Sequence, residues 1–318
     1  MPCIIRWKSD TLVAVFQWFR QPSGSATWDR VAVKFSYNDG TTWTDPQPIV
    51  MNNFPQNYQR PFDPTLVVLP DKSLRIFYSS SDGMPSGGLT PIVNTYSAIS
   101  IDGIHYDFET GARFDHPTNR VIDPAVTVIN GTWHYYSPIG APQDGAYHCT
   151  SADGLNFTQT GNISSDNTHN WTGNLLVDGG QLKFYGSGPF IWNATSSDGA
   201  IWNGYVNTNI QGGDPGIVKL QNGQYMMVYV GQRVVTGLNS VPNTLQITAS
   251  PNPFAEFVFL KGNQNEVYRY TFTDARGATV LTGKFTGSTR LNMTKFPSGN
   301  YFIKVENSKG RFTTKLIK

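Results

Sequence analysis

Arg60-Pro-Phe-Asp63-Pro-Thr-Leu-Val-Val-Leu-Pro-Asp-Lys-Ser-Leu-Arg-Ile-Phe77-Tyr78 is a unit that this chain repeats. An Asp-Pro opens it, an apolar run follows, then a turn, then a strand rich in aromatic residues. The pattern returns at Asp123-Pro-Ala-Val-Thr-Val-Ile-Asn-Gly-Thr-Trp-His-Tyr-Tyr136 and at Asp214-Pro-Gly-Ile-Val-Lys-Leu-Gln-Asn-Gly-Gln-Tyr-Met-Met-Val-Tyr229. Weaker copies begin at Met1 and Thr172. A second motif follows four of the five: Ser36-Tyr-Asn-Asp39-Gly-Thr-Thr-Trp43, Ser100-Ile-Asp102-Gly-Ile-His-Tyr106, Ser151-Ala-Asp153-Gly-Leu-Asn-Phe157 and Ser196-Ser-Asp198-Gly-Ala-Ile-Trp202.

Repetition at roughly 40 to 60 residues is the mark of an array or a propeller. Each copy reads as about four short strands, which is one propeller blade. The expected fold is all-β: a five-bladed β-propeller over 1–232, a linker at 233–246 and a small C-terminal β-sandwich over 247–318. Aromatic residues at 13% against 14% charged, with 31 Gly and 20 Pro, fit a turn-rich β protein of secreted type. The fifth copy stops after Val230, without the second motif, and Met1 stands where other copies carry aspartate. The expectation is that a natural N-terminal stretch, with the outer strands of the last blade and an export signal, precedes this sequence.

Several function classes recede. No apolar run approaches about 18 residues, so no transmembrane span is expected. Residues from 243 onward carry +7 and the remainder −5, but the basic residues are spread over strands, so nucleic acid is not an expected partner. Cys3 and Cys149 are too few for a disulfide framework and read as buried thiols. No metal site is expected: Ca²⁺ would find oxygen ligands in a channel, but no spacing demands it, and no other cofactor is implied.

In a propeller the first strand of each blade lines the channel, and its start lies at the mouth where ligands bind. Asp63, Asp123 and Asp214 are therefore expected to converge from three blades. Convergent carboxylates raise one another's pKa, which leaves one protonated as an acid and one ionised as a base, the pair glycoside hydrolysis uses. The alternative is that each aspartate only bonds a neighbouring blade's backbone. Arg60 and Arg120 stand three residues before their aspartates and could fork onto a sugar carboxylate or bridge to the acids. His169 and Gln211 hold matching positions in later copies. Trp18 and Trp171, near blade mouths, could stack on sugar rings or lie buried between sheets. The aspartates of the second motif are expected to cap their own turns, with Gly supplying the positive φ.

Ser250-Pro-Asn-Pro-Phe254, Asp274-Ala-Arg-Gly277, Phe296-Pro-Ser-Gly-Asn-Tyr-Phe-Ile-Lys304 and the terminal Lys315-Leu-Ile-Lys318 resemble the C-terminal sorting domain of the type IX secretion system. The resemblance implies export by a Bacteroidetes-type bacterium to the cell surface or medium, with that machinery as partner. The Ser-x-Asp-Gly-x-x-aromatic motifs resemble the Asp-boxes of sialidases. The propeller part resembles arabinanase/xylosidase-type glycosidases, which use two aspartates and a glutamate as base, pKa modulator and acid. Asp63 and Asp123 could fill the first two roles. The glutamate has no match, since Glu109, the only one before residue 233, falls in an outer-strand loop. The expected function is glycoside hydrolysis at the channel mouth by a monomeric secreted protein acting on a carbohydrate. Its rivals are a non-catalytic glycan-binding propeller and a surface-interaction scaffold.

Overall fold

The structure is a computed structural model and describes residues 1–26, 28–83, 92–231 and 245–318; most of the expected linker and of the Gly/Pro-rich insertion after Asp82 lie outside these. The described chain is nearly all β; one 3-10 turn at Pro142–Asp144 is the exception. It divides into two compact units, Met1–Gln232 and Arg233–Lys318.

The first unit is a succession of five sheets among the described residues. Their opening strands are Cys3–Arg6, Phe62–Val68, Ala125–Ile129, Asn170–Asp178 and Gly213–Lys219. Each opening strand packs against the next, and the fifth packs back against the first, so the five inner strands close a ring. Within a sheet the strands run outward as an antiparallel meander, in order of sequence. Sheets one, three and four hold four strands each. Sheet two holds five, because Val50–Asn52 joins the outer edge of His105–Phe114 in parallel. Residues read from sequence as the end of the first repeat thus lace it to the second. Sheet five holds two strands, Gly213–Lys219 and Tyr225–Val230.

Apolar side chains fill the gaps between sheets. Tyr78, Tyr96 and Val33 belong to one buried cluster, Phe77, Tyr135 and Trp133 to a second, and Trp171, Phe184 and Trp192 to a third. Burying aromatic faces at roughly 25 cal/mol per Å² is what makes the strand-rich repeats stack.

The second motif works as a sheet-to-sheet lock. Asp153 Oδ1 accepts the backbone N–H groups of Leu155 and Asn156 at 2.8 and 2.9 Å, and the Ser151 hydroxyl accepts from Gly154 N–H at 3.0 Å. Asp102 and Asp198 repeat the pattern. The preceding sheet then grips the turn. Arg75 Nη1 donates to Asp153 O at 3.2 Å, and Tyr136 Oη donates to Gly199 O at 2.6 Å. The first copy differs from expectation, because it carries one extra residue. Asn38, not Asp39, caps that turn, accepting Thr42 N–H at 2.8 Å. Asp39, freed and at φ +53°, pairs with Arg6 and accepts Gln221 N–H at 2.8 Å, stitching sheet one to sheet five.

The second unit holds two sheets. One orders Thr248–Ser250, Phe257–Lys261 and Ser288–Asn292; the other orders Thr279–Thr286, Val267–Asp274, Asn300–Asn307 and Gly310–Ile317. Alternating residues of both, among them Val258, Leu260, Phe272, Ile303 and Leu316, share one buried cluster.

Candidate functional site

The opening strands do not start as regular strands. Their pairing register slips between Phe62 and Thr65, between Asn170 and Gly173, and between Gly213 and Gly216. Proline has no N–H for the ladder, so Asp63-Pro64 and Asp214-Pro215 sit in these bulges, a usual device for aiming a side chain. Asp63, Asp123 and Asp214 all take left-handed backbone, with φ of 51°, 53° and 49°. That conformation costs an L-residue about 1–2 kcal/mol, and Asp and Asn bear it best. Three copies of one strained geometry point three carboxyls to one place.

They do meet. The carboxyls of Asp63 and Asp123 hydrogen-bond each other, and the charge of Asp214 acts on both. The Met1 amine lies 3.3 Å from Asp63 Oδ1. Asp214 takes its orientation from Ser187, whose Oγ accepts the Asp214 N–H at 2.7 Å and lies 3.5 Å from Oδ1. Burial pushes the Asp123 carboxyl well above the usual carboxylate range, and the negative charges of Asp63 and Asp214 push it further. Asp63 is raised by burial too, offset in part by the Met1 amine. Burial and neighbouring negative charge thus disfavour the ionised form of both acids.

Two cavities open on Asp63. One of about 580 Å³ is lined by Gln17, Asp29, Tyr58, Gln59, Arg60 and Asp63, among others. The other, about 660 Å³, is lined by Phe16, Phe19, Trp43, Asp63, Asp214 and Tyr229, among others. A larger groove of about 1070 Å³ lies wholly on the second unit, on a charged sheet face around Arg269, Lys284 and Glu306. It is open and lacks a buried acid pair.

The other expected residues disperse. Arg60 lines the smaller cavity, but its Nη2 pairs with Asp29 Oδ2 at 3.2 Å and not with an adjacent repeat aspartate. Arg120 is exposed. His169 Nδ1 is held by Asp166 at 2.7 Å, Nε2 lies 3.2 Å from Asn207 Oδ1, and its ring stacks on Tyr205 at 4.2 Å. It is a fastener within sheet four. Trp171 is 0% exposed, packed among Tyr136, Phe184, Trp192 and Trp202, so no sugar can stack on it. Trp18 is half-buried, with Arg20 over its ring at 5.2 Å. Glu109 is bound by both Arg75 Nε and Nη2, at 3.0 and 2.9 Å, and by the Ser97 hydroxyl. It holds Arg75 for the sheet-two to sheet-three lock.

Sequence reading missed Gln17, Phe19, Asp29 and Tyr229 as cavity residues. Gln17 carried a signal, being a polar residue inside the apolar run Leu12-Val-Ala-Val-Phe-Gln-Trp18. Among the described residues no group of three or more His, Cys, Asp or Glu is arranged to hold a metal ion.

The ring of sheets defines a β-propeller fold, and solved structures share it. An α-L-arabinofuranosidase from Clostridium thermocellum superposes with a TM-score of 0.55 at 14% identity, over 90% of this chain and 94% of that one. An exo-β-1,3-galactanase from Phanerochaete chrysosporium gives 0.54 at 12% identity, over 99% and 95%. A putative glycoside hydrolase from Parabacteroides distasonis gives 0.53 at 12%, over 72% and 82%. No curated protein matches this sequence. Residues 249–318 match the secretion system C-terminal sorting domain. The chain therefore carries a type IX secretion address, and the protein is secreted or held at the cell surface. Among the described residues no helix is long and apolar enough to cross a membrane.

Proposed function

We propose that the first unit is a five-bladed β-propeller, followed by a β-sandwich sorting domain, and that it hydrolyses a glycosidic bond at the channel mouth through Asp63, Asp123 and Asp214. What supports this is the contact between the Asp63 and Asp123 carboxyls, both raised by burial and both on left-handed backbone, with Asp63 on the wall of two ligand-sized cavities. Two carboxyls in contact cannot flank a sugar, which needs a gap of about 5–5.5 Å for retention or 6.5–9.5 Å for inversion. The pair instead acts as one unit that holds the acid's proton, and Asp214, on the wall of the larger cavity with Asp63, serves as the base. The proton passes to the glycosidic oxygen as the C–O bond breaks. Water supplies hydroxyl to the anomeric carbon and its proton to a carboxylate. Arg60 and Gln17 orient the sugar. This chemistry needs no metal, so chelation with EDTA should leave turnover unchanged.

Glycan-panel hydrolysis by the wild type, Asp63→Asn and Asp123→Asn tests the proposal. Turnover by the wild type, lost in both variants, is expected; full turnover in both variants removes the aspartates from the mechanism. A non-catalytic glycan-binding propeller is favoured by one observation, the capture of Glu109 by Arg75 far from the acids in the sheet order. It predicts binding without turnover in the same panel.

A further inference from the structure

Asp29 reaches the wall of the smaller cavity by the device that aims Asp63. In sheet one, Leu12–Phe19 and Trp28–Ser36 pair in register as far as Trp18 and Arg30. The register then slips, so that Phe19 faces Trp28 and Asp29 is left over as a bulge. Asp29 has φ +54°, left-handed like Asp63 at +51°. Its carboxylate is gripped at both oxygens: Gln17 Nε2 donates to Oδ1 at 2.5 Å, and Arg60 Nη2 to Oδ2 at 3.2 Å. Gln17, Asp29, Arg60 and Asp63 all line the cavity of about 580 Å³. The Asp29–Arg60 pair joins sheet one to sheet two, but both side chains are partly exposed, at 32% and 52%. An exposed ion pair returns less than left-handed backbone costs, so stability alone does not account for the bulge. Such strain gathers where a side chain must be aimed.

The pairing decides what Arg60 can do. A free guanidinium there would fork onto a sugar carboxylate. Among the described residues Arg60 is the one cation on this wall, and Asp29 already neutralises it. The charges of Arg30 and Arg60 act on each other, but Arg30 is not on the wall. Its Nη1 donates to the carbonyls of Trp28 and Asp29, at 2.9 and 3.2 Å. We propose that Asp29 sets the substrate class: by occupying Arg60 it makes the cavity take a neutral sugar and turn away one that carries a carboxylate. This rests on the glycosidase reading above. The lone pairs left on Asp29 accept sugar hydroxyls, and the N–H groups left on Arg60 donate to them. A sugar carboxylate would have to share Arg60 with Asp29 and would be repelled by it.

Saturation-transfer NMR titration of the Asp123→Asn protein tests this without turnover, since Asp123 lines neither cavity. The probes are methyl β-D-galactopyranoside and methyl β-D-glucopyranoside, each beside the methyl glycoside of its 6-carboxylate, at neutral pH. In at least one pair the neutral sugar is expected to bind at least about tenfold more tightly than the acid. Asp29→Asn tolerates the left-handed backbone, can still accept from Gln17, and frees Arg60. It should close or invert that gap, and adding Arg60→Gln should remove the gain in acid binding. Both positions are partly exposed, so the variants are expected to fold, and thermal melts verify it. Four results would overturn the proposal: an acid bound as tightly as its neutral partner in the starting protein, a gap unchanged by Asp29→Asn, a gain that survives Arg60→Gln, or no binding of any probe. Failure of the glycosidase reading shows separately, as a wild type that prefers the neutral sugar through Asp29 yet hydrolyses no glycan of the panel.

Discussion

At residue scale the fold holds several side chains in unfavourable states. Asp123 is buried beside two other acids, so its ionised form is disfavoured and the native protein carries this cost at neutral pH. Asparagine tolerates left-handed backbone as aspartate does. Asp123→Asn should thus lower turnover about a hundredfold or more while raising the melting temperature by about 2–4 °C, the equivalent of roughly 1 kcal/mol in a domain of this size. Calorimetry alongside an activity assay checks both halves. His134 and His148 show the opposite linkage. They stack at 5.4 Å, with Nδ1 of the first 3.1 Å from Nε2 of the second, and Tyr136 stacks on His148. Burial, and then His134, holds His148 down at about 4, and Asp198 and Thr160 beside the pair do not reverse this. A depressed histidine stabilises the fold above its unfolded value near 6.5, and that stability is lost as pH falls toward 4. Melting temperature should therefore drop across pH 6.5 to 4, and His148→Gln should flatten the slope in that window. The three aspartates were legible in sequence because Asp-Pro recurs in register. The cavity partners were not, since Asp29 reaches the site through packing of sheet one on sheet two and Tyr229 through closure of the ring between sheets five and one.

At the scale of elements, the repeated turns are locks, and their glycines separate two costs. Gly131 has φ +79° with open space around a would-be Cβ, whereas Gly154 has φ +72° and a Cβ there would lie 2.6 Å from the Trp133 ring. Gly131→Ala should cost about 1–2 kcal/mol, the backbone term alone. Gly154→Ala should cost clearly more, because Trp133 carries the Arg75 grip on the same turn. Urea unfolding of the two variants measures the difference, and equal losses would mean that the turn does not hold the sheets together. The motif itself was plain in sequence. Its one misassignment, Asp39 for Asn38, came from a single inserted residue that only the hydrogen bonds reveal. The parallel strand Val50–Asn52 was illegible for a related reason: three residues carry no periodicity, and their partner lies in the next repeat.

At the scale of the whole molecule, five unequal repeats close a ring, and a separate unit carries the address. Removing residues 249–318 should stop delivery to the cell surface and medium, which fractionation of expressing cells would show; unchanged delivery would mean that the tail is not the signal. The tail was readable because its motifs are short, ordered and local. The ring was readable as repetition, and so was the short fifth copy, which stops after Val230 without the second motif. The central claim is that the ring brings Asp63 and Asp123 together to share a proton. Carboxyl ¹³C NMR titration of the labelled protein, with Asp123→Asn for assignment, tests it most directly. The account predicts a carboxyl that stays protonated well above the ordinary 3.8, with its partner's shift changing when Asp123 is replaced. Two independent titrations near 3.8 would contradict it.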